Sequence, residues 1–147
     1  MELRVKRVTP GAIIPTRAHA GDLGYDLYSM GSGTFERGET RLVPTGIAMN
    51  LPDGFGAVIK DRSSMAVRGF RVSAGVIDNG YCNEVHVLLT FVGTDPDRVG
   101  GGRGYISVGD KIAQLVLVPL YVADVVEVDT IIIPDTRGHG GFGSTGR

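Results

Sequence analysis

Tryptophan is absent from the 147 residues, and cysteine occurs once, at Cys82. A lone cysteine excludes an internal disulfide and a cysteine-only metal site, and it fits a reducing compartment. No apolar run approaches the roughly 18 residues that a membrane span needs, so no membrane partner is expected. The opening residues Met1-Glu2-Leu3-Arg4-Val5-Lys6 lack an apolar secretory core, so no signal peptide is apparent. The expected location is the cytoplasm, or the host cytoplasm if the source is viral. An excess of either charge is also lacking: 15 Lys and Arg stand against 16 Asp and Glu, a net charge of -1. That balance argues against a cationic surface that binds nucleic acid directly.

Glycine is abundant instead, at 23 residues, more than double the roughly 7% of average usage. The glycines show no period of three, which excludes collagen. They fall at turns and at the ends of short apolar runs, as in an all-β domain. Strands are expected near Leu3 to Thr9, Tyr25 to Ser29, Thr40 to Leu51, Phe55 to Lys60 and Tyr105 to Val108. Lys111 to Tyr121 is almost continuously apolar, like a strand covered on both faces. Ala123 to Ile133 is a further β-branched run. Ser63 to Gly69 is the one helix expected, with serine as its N-cap and Gly69 as its stop. The length suits one domain over 1–134. Residues 135–147 hold five glycines and one aromatic, and read as a mobile C-terminal arm.

The stretch Gly75-Val76-Ile77-Asp78-Asn79-Gly80-Tyr81 organises the chain. Val85, Val87, Leu89 and Phe91 follow it at every second position, the period of a strand. Asp78-Asn79-Gly80 supplies turn chemistry, so two arms, Val72 to Ile77 and Val85 to Val92, are expected to form a hairpin with one acid at its mouth. Alone, Asp78 reads as a turn residue. Four other stretches combine glycine with polar residues. Asp26 lies on the polar face of Tyr25 to Ser29, solvated or helping to hold a hydrated Mg²⁺. Arg62-Ser63-Ser64 places two hydroxyls and a guanidinium at a helix start, either an ordinary cap or a phosphate site. Gln114 interrupts an apolar strand and needs a partner, structural or ligand. Arg137, Phe142, Gly143, Ser144 and Thr145 suit either a plain tail or a loop that closes on an anionic, aromatic ligand.

Together these five stretches resemble the ordered motifs of the trimeric deoxyuridine triphosphatase (dUTPase) family, over Gly24 to Gly146. The resemblance implies an all-β, jelly-roll-like distorted β-barrel with one short helix. It also implies a homotrimer whose sites are shared between subunits, and Mg²⁺-dependent hydrolysis of dUTP to dUMP and pyrophosphate. By the same resemblance Asp78 is the base that activates the attacking water, and Tyr81 packs under the deoxyribose. The backbone of Gly75, Val76, Ile77 and Asp78, and that near His86, reads uracil. Arg62, Ser63, Ser64 and Gln114 hold the α- and β-phosphates, and Asp26 supports Mg²⁺ through water. Arg137 clamps the γ-phosphate, Phe142 covers the base, and Gly143, Ser144 and Thr145 donate hydrogen bonds.

The chain departs from the family pattern at Cys82-Asn83, where arginine or glutamine followed by glycine is usual. It departs again at Lys111, usually arginine, and at Ser64, often glycine. Two rivals share the scaffold: dCTP deaminase, and a non-catalytic or regulatory dUTP-binding protein. The deaminase needs a glutamate ten residues beyond the aspartate, where this chain has Leu88. A binding protein would have lost Asp78 or the arm.

Overall fold

The computed structural model describes residues 1–93 and 102–132. In chain order the elements are β1 (Arg4–Arg7), β2 (Tyr25–Tyr28), β3 (Gly33–Glu36), β4 (Thr40–Pro44), β5 (Ile47–Asn50) and β6 (Phe55–Lys60). A short helix, α1 (Ser63–Val67), follows. Then come β7 (Phe70–Val72), β8 (Val76–Ile77), β9 (His86–Phe91), β10 (Arg103–Ile106) and β11 (Lys111–Pro119). They form four antiparallel sheets, ordered β1-β5, β10-β3, β2-β11-β6-β8 and β4-β9-β7. The architecture is all-β and jelly-roll-like, and the sheets stay open at their edges among the described residues.

Alternation builds the core. Val85, Val87, Leu89 and Phe91 are buried, as the period of two predicts. Their intervening residues are only partly covered. Phe35, Phe70 and Phe91 form an aromatic cluster, with ring centroids 5.3 and 5.0 Å apart. Gly104 lets β10 cross this cluster, because a Cβ there would lie 2.5 Å from the Phe70 ring. β3 was not anticipated, since Phe35 is the only large apolar residue within it.

Three expectations are corrected. The two arms around Asp78 pair only at their outer end, where Val72 lies opposite Leu89 and the Ser73 amide donates to the Leu88 carbonyl. β8 joins β6, with Ala57 opposite Ile77, whereas β9 joins β4 and β7. The chain changes sheets between them. Secondly, Ser63 is the first helical residue and not the cap. The cap position is Arg62, in extended conformation and without a side-chain capping bond. Gly69 does follow the helix in the left-handed region, at φ 87°, as a stop residue should. Thirdly, residues 120–132 form no strand. The Leu120 amide donates to the Gly54 carbonyl at 2.8 Å, and beyond it Val122, Val125, Val126, Ile131 and Ile132 are all exposed. β-Propensity needs a neighbouring strand, and this segment has none within the described residues.

Candidate active site

The first cleft arises where the chain changes sheets. The Ser73 amide donates to the Leu88 carbonyl at 2.8 Å, still beside β9. Two residues later the Ile59 amide donates to the Gly75 carbonyl at 2.7 Å, now beside β6. The crossing needs two successive positive φ angles, 69° at Ala74 and 118° at Gly75. For alanine that region costs about 1–2 kcal/mol. At Gly75 no side chain fits, because a Cβ would meet the Ile59 carbonyl oxygen at 2.8 Å.

A tight turn then carries Asp78. The Tyr81 amide donates to the Asp78 carbonyl at 3.1 Å, and Gly80 supplies the positive φ of 94° that a type II turn requires. Asn79 has a different task. Its Nδ2 donates to the carbonyls of Pro52 and Phe55, at 2.9 and 2.8 Å, and pins the turn to the start of β6. The result is a cleft of about 340 Å³ lined by Leu42, Val72, Leu88, Gly75 to Asp78, Tyr81 and His86. That volume lies at the small-ligand end of binding sites. Asp78 is exposed at the cleft.

A second cleft, of about 780 Å³, is lined by Asp22, Gly24, Asp26, Lys60, Arg62, Ser63, Ser64, Lys111 and Gln114. Pairing β2 with β11 places Asp26 opposite Gln114. Asp26 is only 13% exposed, and both its oxygens are engaged. Oδ1 accepts from Arg62 Nε at 2.7 Å, and Oδ2 faces Lys111 Nζ at 2.8 Å. The hydrogen bond and the charge of Asp26 push the Lys111 ammonium pKa up, so it stays cationic through neutral pH. Arg62 Nη1 also reaches Ser64 Oγ at 3.2 Å and the Lys111 carbonyl at 3.3 Å. These contacts hold the guanidinium in one orientation and leave Nη2 outside them. The amides of Ser63 and Ser64 precede the first intrahelical bond, Ala66 N–H to Arg62 O at 2.9 Å, so neither has a helical acceptor one turn back. The partner of Gln114 is structural: its Nε2 donates to the Asp61 carbonyl at 2.8 Å. Its Oε1 occupies the space that a side chain at position 24 would need, 2.3 Å from a Cβ built on Gly24.

The expected residues therefore gather into two clefts. Gly75, Val76, Ile77, Asp78, Tyr81 and His86 line one, and Asp26, Arg62, Ser63, Ser64 and Gln114 line the other. Among the described residues, none lines both. Ile59 borders the first and its neighbour Lys60 the second, and successive strand residues face opposite sides of a sheet. Arg137, Phe142, Gly143, Ser144 and Thr145 lie outside the described residues. Sequence reasoning missed Asp61, whose Oδ1 accepts from the Val72 amide at 2.6 Å and ties the helix entry to β7. It also missed Glu84 and the strained Ala74, neither of which carries a local signal.

Among the described residues no group of three His, Cys, Asp or Glu could hold a metal ion. Asp26 already accepts two cationic partners, yet a carboxylate offers about four lone-pair sites. It can accept a further bond from a metal-bound water, but it cannot anchor a cage. The donor set fits Mg²⁺ at one remove, as an ion carried largely by phosphate oxygens.

Residues 11–146 match the family model described as dUTPase. The chain is 38% identical to the deoxyuridine 5'-triphosphate nucleotidohydrolase of Solibacter usitatus, covering 100% of this chain and 97% of that protein. Among solved structures it is similar to the dUTPase of Staphylococcus bacteriophage 80alpha with dUPNHPP. There the TM-score is 0.87 at 27% identity, over 99% of each chain. A dUTPase from phage phi11 of S. aureus, described with a structural Mg(II) ion, matches at a TM-score of 0.78 and 24% identity, over 89% of this chain and 99% of that one.

Proposed function

The chain belongs to the dUTPase family, and from that premise we propose that it hydrolyses dUTP to dUMP and pyrophosphate as a homotrimer. The reaction limits uracil in DNA and supplies dUMP for dTMP synthesis. The observation that carries the assembly is the separation of the two clefts. A nucleoside pocket with an acid and a cationic phosphate cleft share none of the described residues of one chain. A second copy that brings its phosphate cleft to the first copy's nucleoside pocket completes a site. The exposed apolar run through Val125, Val126, Ile131 and Ile132 supports such assembly, because a contiguous apolar surface marks an interaction site.

In this reading the backbone of Gly75 to Asp78, and that near His86, hydrogen-bonds the uracil edge. The narrow cleft leaves no room for the methyl of thymine. Tyr81 lies under the deoxyribose and excludes a 2′-hydroxyl. Arg62 and Ser63, with Ser64 and the second N–H of Gln114 Nε2, hold the α- and β-phosphates. Arg137 clamps the γ-phosphate. Phe142 stacks on the base, while Gly143, Ser144 and Thr145 donate to the nucleotide. Asp78 accepts a proton from a water whose oxygen bonds to phosphorus, and pyrophosphate departs with the electron pair of the broken P–O bond. Asp26 would help to hold Mg²⁺ through water, and the ion would supply charge neutralisation. Asp26 holds the Arg62 guanidinium ready for phosphate before substrate arrives.

Leu88 in the wall of the nucleoside cleft disfavours cytosine deamination, which would need an acid there. Pyrophosphate release from dUTP, dTTP, dCTP and UTP tests the assignment. dUTP should be turned over far faster than the other three. Equal turnover of all four substrates overturns it.

A further inference from the structure

Glu84 takes no part in the chemistry above, yet four contacts converge on it beside the nucleoside cleft, one of them between its carboxylate Oε2 and His86 Nε2 at 3.9 Å. Its carbonyl accepts the Tyr81 hydroxyl at 2.9 Å. The same carbonyl lies 3.1 Å from His86 Nδ1, so that nitrogen carries the proton and donates. Its carboxylate Oε1 accepts the Gly46 amide at 2.8 Å. Tyr81 and His86 both line the cleft, so one carbonyl holds two of its side chains.

Gly46 is a firm anchor for this carboxylate. It lies between β4 and β5 at φ 69°, and a Cβ there would lie 2.7 Å from Ala12 Cβ and 2.8 Å from Met30 Cγ. Its carbonyl accepts the amides of Val8 and Thr9 at 2.8 and 3.2 Å. The residue after Glu84 is fixed as well: the Val85 amide donates to the Ile47 carbonyl at 2.8 Å, and Thr45 bonds back to the Val85 carbonyl. The segment Tyr81-Cys82-Asn83, by contrast, is exposed. The Tyr81 amide is held by the Asp78 carbonyl, and the hydroxyl bond to Glu84 gives the exposed residue its second fixed point, at the far end of the ring.

We infer that Glu84 is a positioning residue for sugar selection. Its carboxylate, clamped on Gly46, fixes the carbonyl that tethers Tyr81 and His86, and so sets how closely Tyr81 approaches the sugar. The inference rests on the reading of Tyr81 as the deoxyribose gate. It assigns Glu84 to specificity, with no contact to the reacting atoms. Loss of the clamp lets the carbonyl and the Tyr81 ring drift, and the drift opens space beside the sugar for a 2′-hydroxyl.

The test is the ratio of kcat/KM for dUTP to that for UTP, measured in full-length protein. Glu84→Ala should lower the ratio about tenfold or more, since small displacements at a binding wall carry effects of that size. Glu84→Gln keeps an acceptor for the Gly46 amide and should retain most of the preference. Tyr81→Phe, which removes only the tether, should lower the ratio similarly, and Glu84→Ala should add little on top of it. A wild-type ratio in Glu84→Ala, or fully additive effects in the double variant, overturns the inference. If Glu84→Ala does not fold, Tyr81→Phe decides: an unchanged ratio shows that the tether does not hold the gate. A wild-type enzyme that does not prefer dUTP to UTP would instead overturn the reading of Tyr81 itself.

Discussion

Asp78→Asn should lower turnover of dUTP about 10³-fold, within the range that a general base supplies. Binding of a non-hydrolysable dUTP analogue should remain at the wild-type level. Asparagine keeps the size of the side chain and a carbonyl acceptor, but it cannot take the proton of the attacking water. The turn itself should survive, because its bonds are made elsewhere. The Tyr81 amide donates to the Asp78 main-chain carbonyl, Gly80 supplies the positive φ, and Asn79 anchors on Pro52 and Phe55. Only the carboxylate changes. Pyrophosphate release, with circular dichroism as the control for folding, checks both halves of the expectation. Wild-type turnover in this variant would remove Asp78 from the chemistry.

Gly75→Ala should damage stability and activity together. Its φ of 118° is strained for any L-residue, at a cost on the order of 1–3 kcal/mol. The added Cβ would also meet the Ile59 carbonyl oxygen at 2.8 Å and Ile59 Cβ at 3.1 Å. Backbone cannot rotate away as a side-chain end can, so the bond from the Ile59 amide to the Gly75 carbonyl must lengthen. Together these effects should cost about 3 kcal/mol and lower the melting temperature by roughly 10 °C. The same displacement moves Val76 to Asp78, and a misplacement near 1 Å costs on the order of 10²-fold in rate. Gly38→Ala is the control. Gly38 also has a positive φ, 84°, but nothing lies within 4 Å of its added Cβ. That variant should lose about 1 kcal/mol and keep wild-type kinetics. Equal behaviour of the two variants would mean that the close approach at Gly75 is unimportant.

Periodicity made the core legible in the sequence. Val85, Val87, Leu89 and Phe91 alternate and are buried, and Phe55 to Lys60 and Lys111 to Pro119 are strands as their apolar runs imply. Pairing was less legible, because a strand's partners are chosen by distant residues. The turn at Asp78 carries hairpin chemistry, but positive φ at both Ala74 and Gly75 sends the preceding segment to another sheet. The run Ala123 to Ile133 has strand propensity, and over its described part no strand beside it.

The site residues were readable as types and not as a geometry. Ser63 looked like a cap, but Arg62 takes the cap position while its side chain is drawn to Asp26. Asp26 read as either a solvated residue or a support for hydrated Mg²⁺, and it lies between Arg62 and Lys111, a pairing that appears only once β2 lies beside β11. Lys111 departs from the usual arginine and still closes the second oxygen of Asp26. The substitution therefore preserves the ion cluster while giving up planar bidentate geometry.

In the proposed assembly, one dUTP site takes its nucleoside pocket and its phosphate cleft from different copies of the chain. Co-refolding Asp78→Asn with Arg62→Ala tests it most directly. Each variant alone should be nearly inactive. Random mixing in a symmetric oligomer should restore both wild-type halves at about one quarter of the junctions, with a matching recovery of pyrophosphate release from dUTP. Activity that stays at the sum of the two separate variants would show that each chain acts on its own site, and would contradict the claim.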